Sequence, residues 1–180
     1  DVMVITEKPI KINIKEPKLE LTAFELHKLK KAIEKQPVMY YQIVQEAEPL
    51  INAHVLEELK NIKLENKNFK DYINQTKEHV KSSKELLDLD KLDGEFVRSY
   101  SILYSAILRL RGIFIVRCIL SKENFSNKNF KKWLIGEGIN NDEFEYFYST
   151  YRAIRDNKKI KDVKIKIPSA EKLLNILEKE

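Results

Sequence analysis

A mostly α-helical chain, a helical up-and-down bundle preceded by a small α/β segment of two to three strands, is the fold class these 180 residues predict. Three observations predict it. Hydrophobic residues make up 43% of the chain and charged residues 34%, a balance that suits a globular core and excludes a disordered tail or a membrane protein. Four glycines and five prolines are too few for a loop-rich β-sandwich. From about Asn52 onward the apolar residues recur at helical spacing, whereas the first fifty residues alternate or run in short apolar blocks. A chain of this length buries roughly 70% of its unfolded surface. The single cysteine, Cys118, excludes a disulfide framework and a cysteine-based zinc cluster, and it fits a reducing, cytoplasmic setting.

Val2 to Ile5 is a short apolar run of the kind that forms a buried strand, and Ile10 to Lys15 alternates as a half-exposed strand does. Thr22-Ala-Phe-Glu25 has the form of a capping box opening a helix to about Lys35, with Phe24, Leu26, Leu29 and Ile33 inward. After Pro37, Val38 to Val44 reads as a third strand. The domain boundary is expected here, with an α/β segment over 1–51 and a bundle over 52–180. A short amphipathic helix covers Ala53 to Ile62, and a long one covers Asn68 to Leu89, broken by the run Asp88 to Gly94. Glu95 to Leu120 is apolar around most of its circumference and is expected to be the most buried helix. Phe130 to Ile135, Asn141 to about Asn157, and Pro168 to Glu178 complete the bundle, with the basic stretch Lys158 to Lys166 as a loop or weak strand.

The net charge of +5 arises from 33 basic against 28 acidic residues, a modest attraction to polyanions. All six arginines fall between Arg98 and Arg155. Arg152 and Arg155 lie three apart on one helix face, with Tyr148 and Tyr151 on or beside it and Lys158 just beyond. Two guanidiniums and a following lysine could hold a phosphate or nucleic-acid backbone. The same residues could equally form an ion-pairing face, Arg152 with Asp156 and Arg155 with a carboxylate of the central helix. Arg98 and Arg109, eleven apart, are expected to share a face of that helix. An arginine on so apolar a helix must find a partner or reach a cleft. Asp88, Asp90 and Asp93 miss the calcium-loop spacing, since Leu92 and Asp93 occupy its fifth and sixth positions and Ser99 its twelfth. His27, His54 and His79 lie on separate elements without metal-ligand spacing.

The stretch from about Asn68 to Glu180 resembles the HEPN domain, a helical nucleotide-binding bundle. The resemblance rests on the long amphipathic helix, on Phe96-Val-Arg-Ser-Tyr-Ser-Ile-Leu-Tyr-Ser-Ala-Ile-Leu-Arg109, on Tyr151-Arg-Ala-Ile-Arg-Asp156 and on Ser169-Ala-Glu-Lys-Leu-Leu174. The family's ribonucleases carry an arginine followed four to six residues later by a catalytic histidine. Here Asp156, Asn157 and Lys158 follow Arg152, and no histidine lies beyond His79. The N-terminal segment resembles the tail of a polymerase-beta-type nucleotidyltransferase, whose Asp-x-Asp strand holds two magnesium ions. Asp1 would be the second Asp of such a strand, and hence both catalytic and metal-binding. Val38 to Val44 would be the next strand, though Tyr40, Tyr41 and Gln42 stand where its third carboxylate belongs. The family's Gly-Ser motif would lie upstream, and the chain opens at Asp1-Val-Met rather than at an initiator Met, so it is expected to be incomplete.

The resemblance implies a nucleotidyltransferase-like protein, incomplete or catalytically lapsed, whose bundle binds nucleotide through Arg98, Arg152, Arg155 and Lys158, with Tyr148 or Tyr151 stacking on a base. Magnesium would accompany an active upstream half. The alternative is a non-catalytic helical module, of a toxin–antitoxin-like kind, that binds RNA or forms a homodimer through the bundle. Neither reading involves a membrane.

Overall fold

The computed structural model describes residues 2–10, 20–160 and 164–180. Its contacts divide the chain into two compact units, Asp1–Phe69 and Lys70–Glu180. Among the described residues it is mostly helical, with eight helices and one small parallel sheet.

In the first unit β1 (Val2–Thr6) pairs in parallel with β2 (Leu21–Glu25), in register from Val2↔Leu21 to Thr6↔Glu25. Parallel neighbours need a long connection, which residues 7–20 supply. The expected strand from Ile10 to Lys15 lies, beyond Ile10, outside the described residues. The capping box at Thr22 does not form, because Thr22 and Glu25 belong to β2. The helix α1 (Leu26–Lys35) starts only after them, from an extended Glu25 that makes no side-chain cap. The Glu25 carboxylate instead pairs with Lys28 and, at 3.7 Å, with His27.

The segment Val38 to Val44 is also not a strand. It lies in the helix α2 (Pro37–Glu46), with Pro37 in the first turn, where its fixed φ suits the helix and its missing N–H costs nothing. Pro37 and Val44 are buried and Tyr40 packs on the core, whereas Met39 and Ile43 are exposed, a helical period inside a β-rich composition. Leu29, Ile33, Val44 and Leu59 form the buried centre of this unit, with Met3, Ile5, Phe24 and Leu56 against it. The helix α3 (Ala53–Lys60) supplies Leu56 and Leu59, so it packs with the N-terminal elements.

The helix α4 (Asn66–Asp93) carries residues of both units and runs unbroken through Asp88 and Asp90, ending at Gly94, whose φ of 147° no L side chain readily adopts. In the second unit α5 (Tyr100–Ser121) is the central element, with Ile102, Leu103, Ile107, Leu110 and Ile113 among its buried residues. It starts five residues later than expected. Ser99 caps it by accepting from the Ser101 amide at 3.2 Å. The residues before it are held instead by backbone bonds, Val97 N to Ile165 O at 2.9 Å and Ile167 N to Glu95 O at 3.0 Å, around an antiparallel bridge of Phe96 with Lys166. Against α5 lie α6 (Asn127–Gly136), α7 (Asn141–Arg155) and α8 (Ile167–Lys179), which contribute Phe130, Leu134, Phe144, Phe147, Leu173 and Leu177 to the core. The Asn140 side chain accepts from the Glu143 amide at 2.8 Å and Glu143 Oε2 accepts from the Asn140 amide at 3.1 Å, a complete capping box opening α7. No helix among the described residues is long and apolar enough to cross a membrane.

Candidate anion-binding face on α5 and α7

The face of α7 that meets α5 is aromatic. Residues 144, 148 and 151 follow one another at helical spacing, so their rings stack along the helix: Phe144 on Tyr148 with centroids 5.3 Å apart, and Tyr148 on Tyr151 at 5.8 Å. Tyr104 of α5 extends the ladder, 5.3 Å from Tyr151 and inclined by 20°. Tyr151, stacked on two rings, is buried, whereas Tyr148 is half-buried.

Into this ladder projects Arg111. Its guanidinium lies 5.0 Å from the Phe125 centroid, 5.8 Å from that of Tyr151 and 5.9 Å from that of Tyr148. One terminal nitrogen donates to the Tyr148 hydroxyl at 2.6 Å and to Asn127 Oδ1 at 3.0 Å, and the Tyr148 hydroxyl donates to the same Asn127 oxygen at 2.8 Å. Every one of these partners is neutral. Among the described residues no carboxylate lies within ion-pair distance of Arg111, and no aspartate or glutamate occurs anywhere in α5. Aromatic faces offset part of the cost of half-burying the charge, each contributing about 0.5–2 kcal/mol, but they leave the charge itself in place.

Arg155 stands on the same ladder, its guanidinium 5.9 Å from the Tyr151 centroid, so one ring is flanked by two cations. Its Nε donates to Asp156 Oδ1 at 2.8 Å, a bond that raises the guanidinium pKa above its ordinary value and lowers that of Asp156. Lys158 Nζ is 3.7 Å from the other Asp156 oxygen and largely exposed. Arg152 is exposed on the same side of α7, and its charge adds to the depression of the Asp156 pKa. The ion pair foreseen between Arg152 and Asp156 is thus made by Arg155. Three cations, Arg155, Lys158 and Arg152, act on this one carboxylate, which leaves a positive excess at the end of α7.

Arg98 stands elsewhere. It precedes Ser99, the cap of α5, so it is on the loop and shares no helix face with Arg109. There it pairs with Asp93 at 2.6 Å while its amide donates to the buried Asp90 carboxylate at 3.1 Å. Asp1 lies outside the described residues. Among those described, no group of three or more His, Cys, Asp or Glu is placed to hold a metal ion. Sequence reasoning missed Arg111, Asn127 and Phe125. The signal that could have found Arg111 was the absence of acids from α5, which forces every arginine on it to seek a partner on another helix: Arg117 reaches Glu180 at 2.9 Å, while Arg111 reaches only neutral groups.

Comparison of the chain with protein-family models, with curated proteins and with solved structures found no match in any of the three.

Proposed function

We propose that the unit Lys70–Glu180 is a helical binding module for a phosphate-bearing ligand, a nucleotide or RNA, held on the α5–α7 face by Arg111, Arg152, Arg155 and Lys158. The observation that carries this reading is the half-buried Arg111 guanidinium, whose hydrogen-bond partners are neutral and whose charge an anion would balance. A guanidinium fork matches two phosphate oxygens at once, and Arg155 and Lys158 extend the positive field along α7. Tyr148, half-buried with its hydroxyl in the Arg111 network, orients that fork. Tyr151 supports it, because it is buried and stacked on both Tyr104 and Tyr148. The resemblance to HEPN domains supports the same ligand class.

One observation favours binding over nucleotidyl transfer. The segment Val38 to Val44, needed as the next strand of a transferase sheet, is helical. Transfer would rest on Asp1 with further carboxylates upstream, and on magnesium held by them.

The test is fluorescence anisotropy of a labelled single-stranded RNA at several salt concentrations, beside thermal-shift titrations with the four nucleoside triphosphates with and without magnesium. Binding should weaken linearly in log–log salt dependence. Arg111→Gln and Arg155→Gln should each weaken it roughly tenfold or more, the scale of a lost charge-assisted hydrogen bond. Loss of the circular-dichroism spectrum in these variants would instead mark the arginines as structural. A shift seen with triphosphate and magnesium, and none with RNA, would return the reading to transfer. No response to any of these ligands would end it.

A further inference from the structure

The last turn of α7 ends on an acid where helix electrostatics disfavour one. Asp156 closes the helix, next to the negative end of its dipole. Backbone bonds fix the chain there: Lys158 N donates to Ala153 O at 2.8 Å and Asn157 N to Ile154 O at 3.1 Å. Asn157 takes the left-handed conformation that such a terminus requires, with a φ of 51°. This turn folds Lys158 back beside Asp156. Lys158 Nζ lies 3.7 Å from one carboxylate oxygen, while Arg155 Nε donates to the other at 2.8 Å. Cations thus stand on both oxygens, and the Asp156 side chain is the most covered of the three. It is 26% exposed, against 46% for Arg155 and 71% for Lys158.

An oxyanion therefore already sits on two of the cations assigned above to the ligand. A phosphate that reaches Arg155 must take its Nε–H from Asp156, and it leaves that carboxylate unpaired beside the helix end. A carboxylate ligand gains little by the exchange. It offers the guanidinium the same two oxygens, and Asp156, tethered one residue away, competes at a far higher effective concentration. A row of phosphates gains more, because each contact along the strand releases counterions.

We propose that Asp156 is the specificity-determining residue of the α5–α7 face. It is an internal anion that occupies Arg155 and Lys158 until phosphates displace it, and it keeps acidic protein surfaces off the same cations. Specificity of this kind is gained by weakening the wrong partner more than the right one. The inference rests on the reading of this face as a phosphate-binding site, and it adds a residue that itself binds no ligand.

Anisotropy of a labelled single-stranded RNA is measured on the full chain and on Asp156→Asn, Asp156→Glu and Asp142→Asn, with oligoglutamate as the carboxylate competitor. Asp142 is exposed in the first turn of α7, so its variant removes one charge from the same helix without freeing Arg155. Asp156→Asn should tighten RNA binding roughly fivefold, the scale of one partly exposed ion pair. Its salt dependence should steepen by about 0.7, the increment for one further phosphate contact on a single strand. Oligoglutamate should compete with RNA on Asp156→Asn and not on the parent. Asp156→Glu, which keeps the acid, and Asp142→Asn should stay within about twofold of the parent. Asp156→Ser, equally uncharged, stands in if the Asn variant fails to fold. Suppose the parent binds RNA and Arg155→Gln weakens it, yet Asp156→Asn binds no tighter than Asp142→Asn. The inference is then overturned while the phosphate reading stands. Oligoglutamate competing equally on parent and variant would overturn it too. Absence of RNA binding by both would end the inference and the reading together.

Discussion

At Gly112 of α5 the missing side chain leaves the room that the Tyr72 ring of α4 occupies. Alanine at 112 adds helix propensity worth about 1 kcal/mol, but its Cβ would collide with the Tyr72 ring and force it off the Arg109 carbonyl. Overpacking of this kind costs about 1–3 kcal/mol, so Gly112→Ala should lower the thermal midpoint, and calorimetry of the two proteins decides it. Glu143 gives a residue whose worth depends on pH. Partial burial works against its charge, but the Asn140 amide, Lys172 Nζ at 3.1 Å and the Ser169 hydroxyl more than offset this and hold its pKa below the ordinary value. A carboxylate depressed in the folded state adds stability at pH values above its unfolded pKa, near 4.3, and that stability is lost as pH falls through the folded value. Glu143→Ala should therefore cost about 1 kcal/mol at neutral pH, and the gap from the parent should close in denaturant titrations taken towards pH 3 (about one unit below that value).

At the scale of elements, much of the bundle was legible. Five helices of the C-terminal stretch stand within a few residues of their periodic patterns, because burial of one apolar face dictates both the period and the helix. The ends slipped where capping chemistry, rather than hydrophobicity, decides them: Ser99 holds the start of α5 back from Glu95, and Gly94 lets α4 run past Asp88. The larger failure was Val38 to Val44. Its valines, isoleucine and tyrosines have strand propensity, yet the spacing of Pro37, Tyr40 and Val44 is that of a helix, and packing against Leu29 and Ile33 prevails over propensity. The arginine–tyrosine face of α7 was legible from spacing, whereas Arg111 was not, since its partners come from α6 and α7, far away in sequence. The element argument carries its own test. Met39→Glu and Ile43→Lys, on the exposed side of α2, should leave stability within about 0.5 kcal/mol, while Val44→Asp should unfold the first unit.

At the scale of the whole molecule, the two units have separate apolar centres, one around Leu29 and Ile33 and the other around Leu110 and Phe130. Leu29→Ala should cost about 2–5 kcal/mol and speed amide exchange in α1 and α2 while α7 and α8 keep their rates. Leu110→Ala should do the reverse. A single shared change in exchange across all helices would show that the cores melt as one. One side chain makes this unusually easy to follow. Trp133 is the sole tryptophan of the chain; its ring stacks on Phe114 at 5.4 Å, Arg117 lies 5.2 Å from its centroid, and its indole nitrogen is buried without a hydrogen-bond partner among the described residues. Excited at its red edge, the protein therefore emits from the second unit alone. Far-ultraviolet ellipticity sums the helices of both units, so any interval between the two denaturation curves is a direct optical reading of the stability of the first unit.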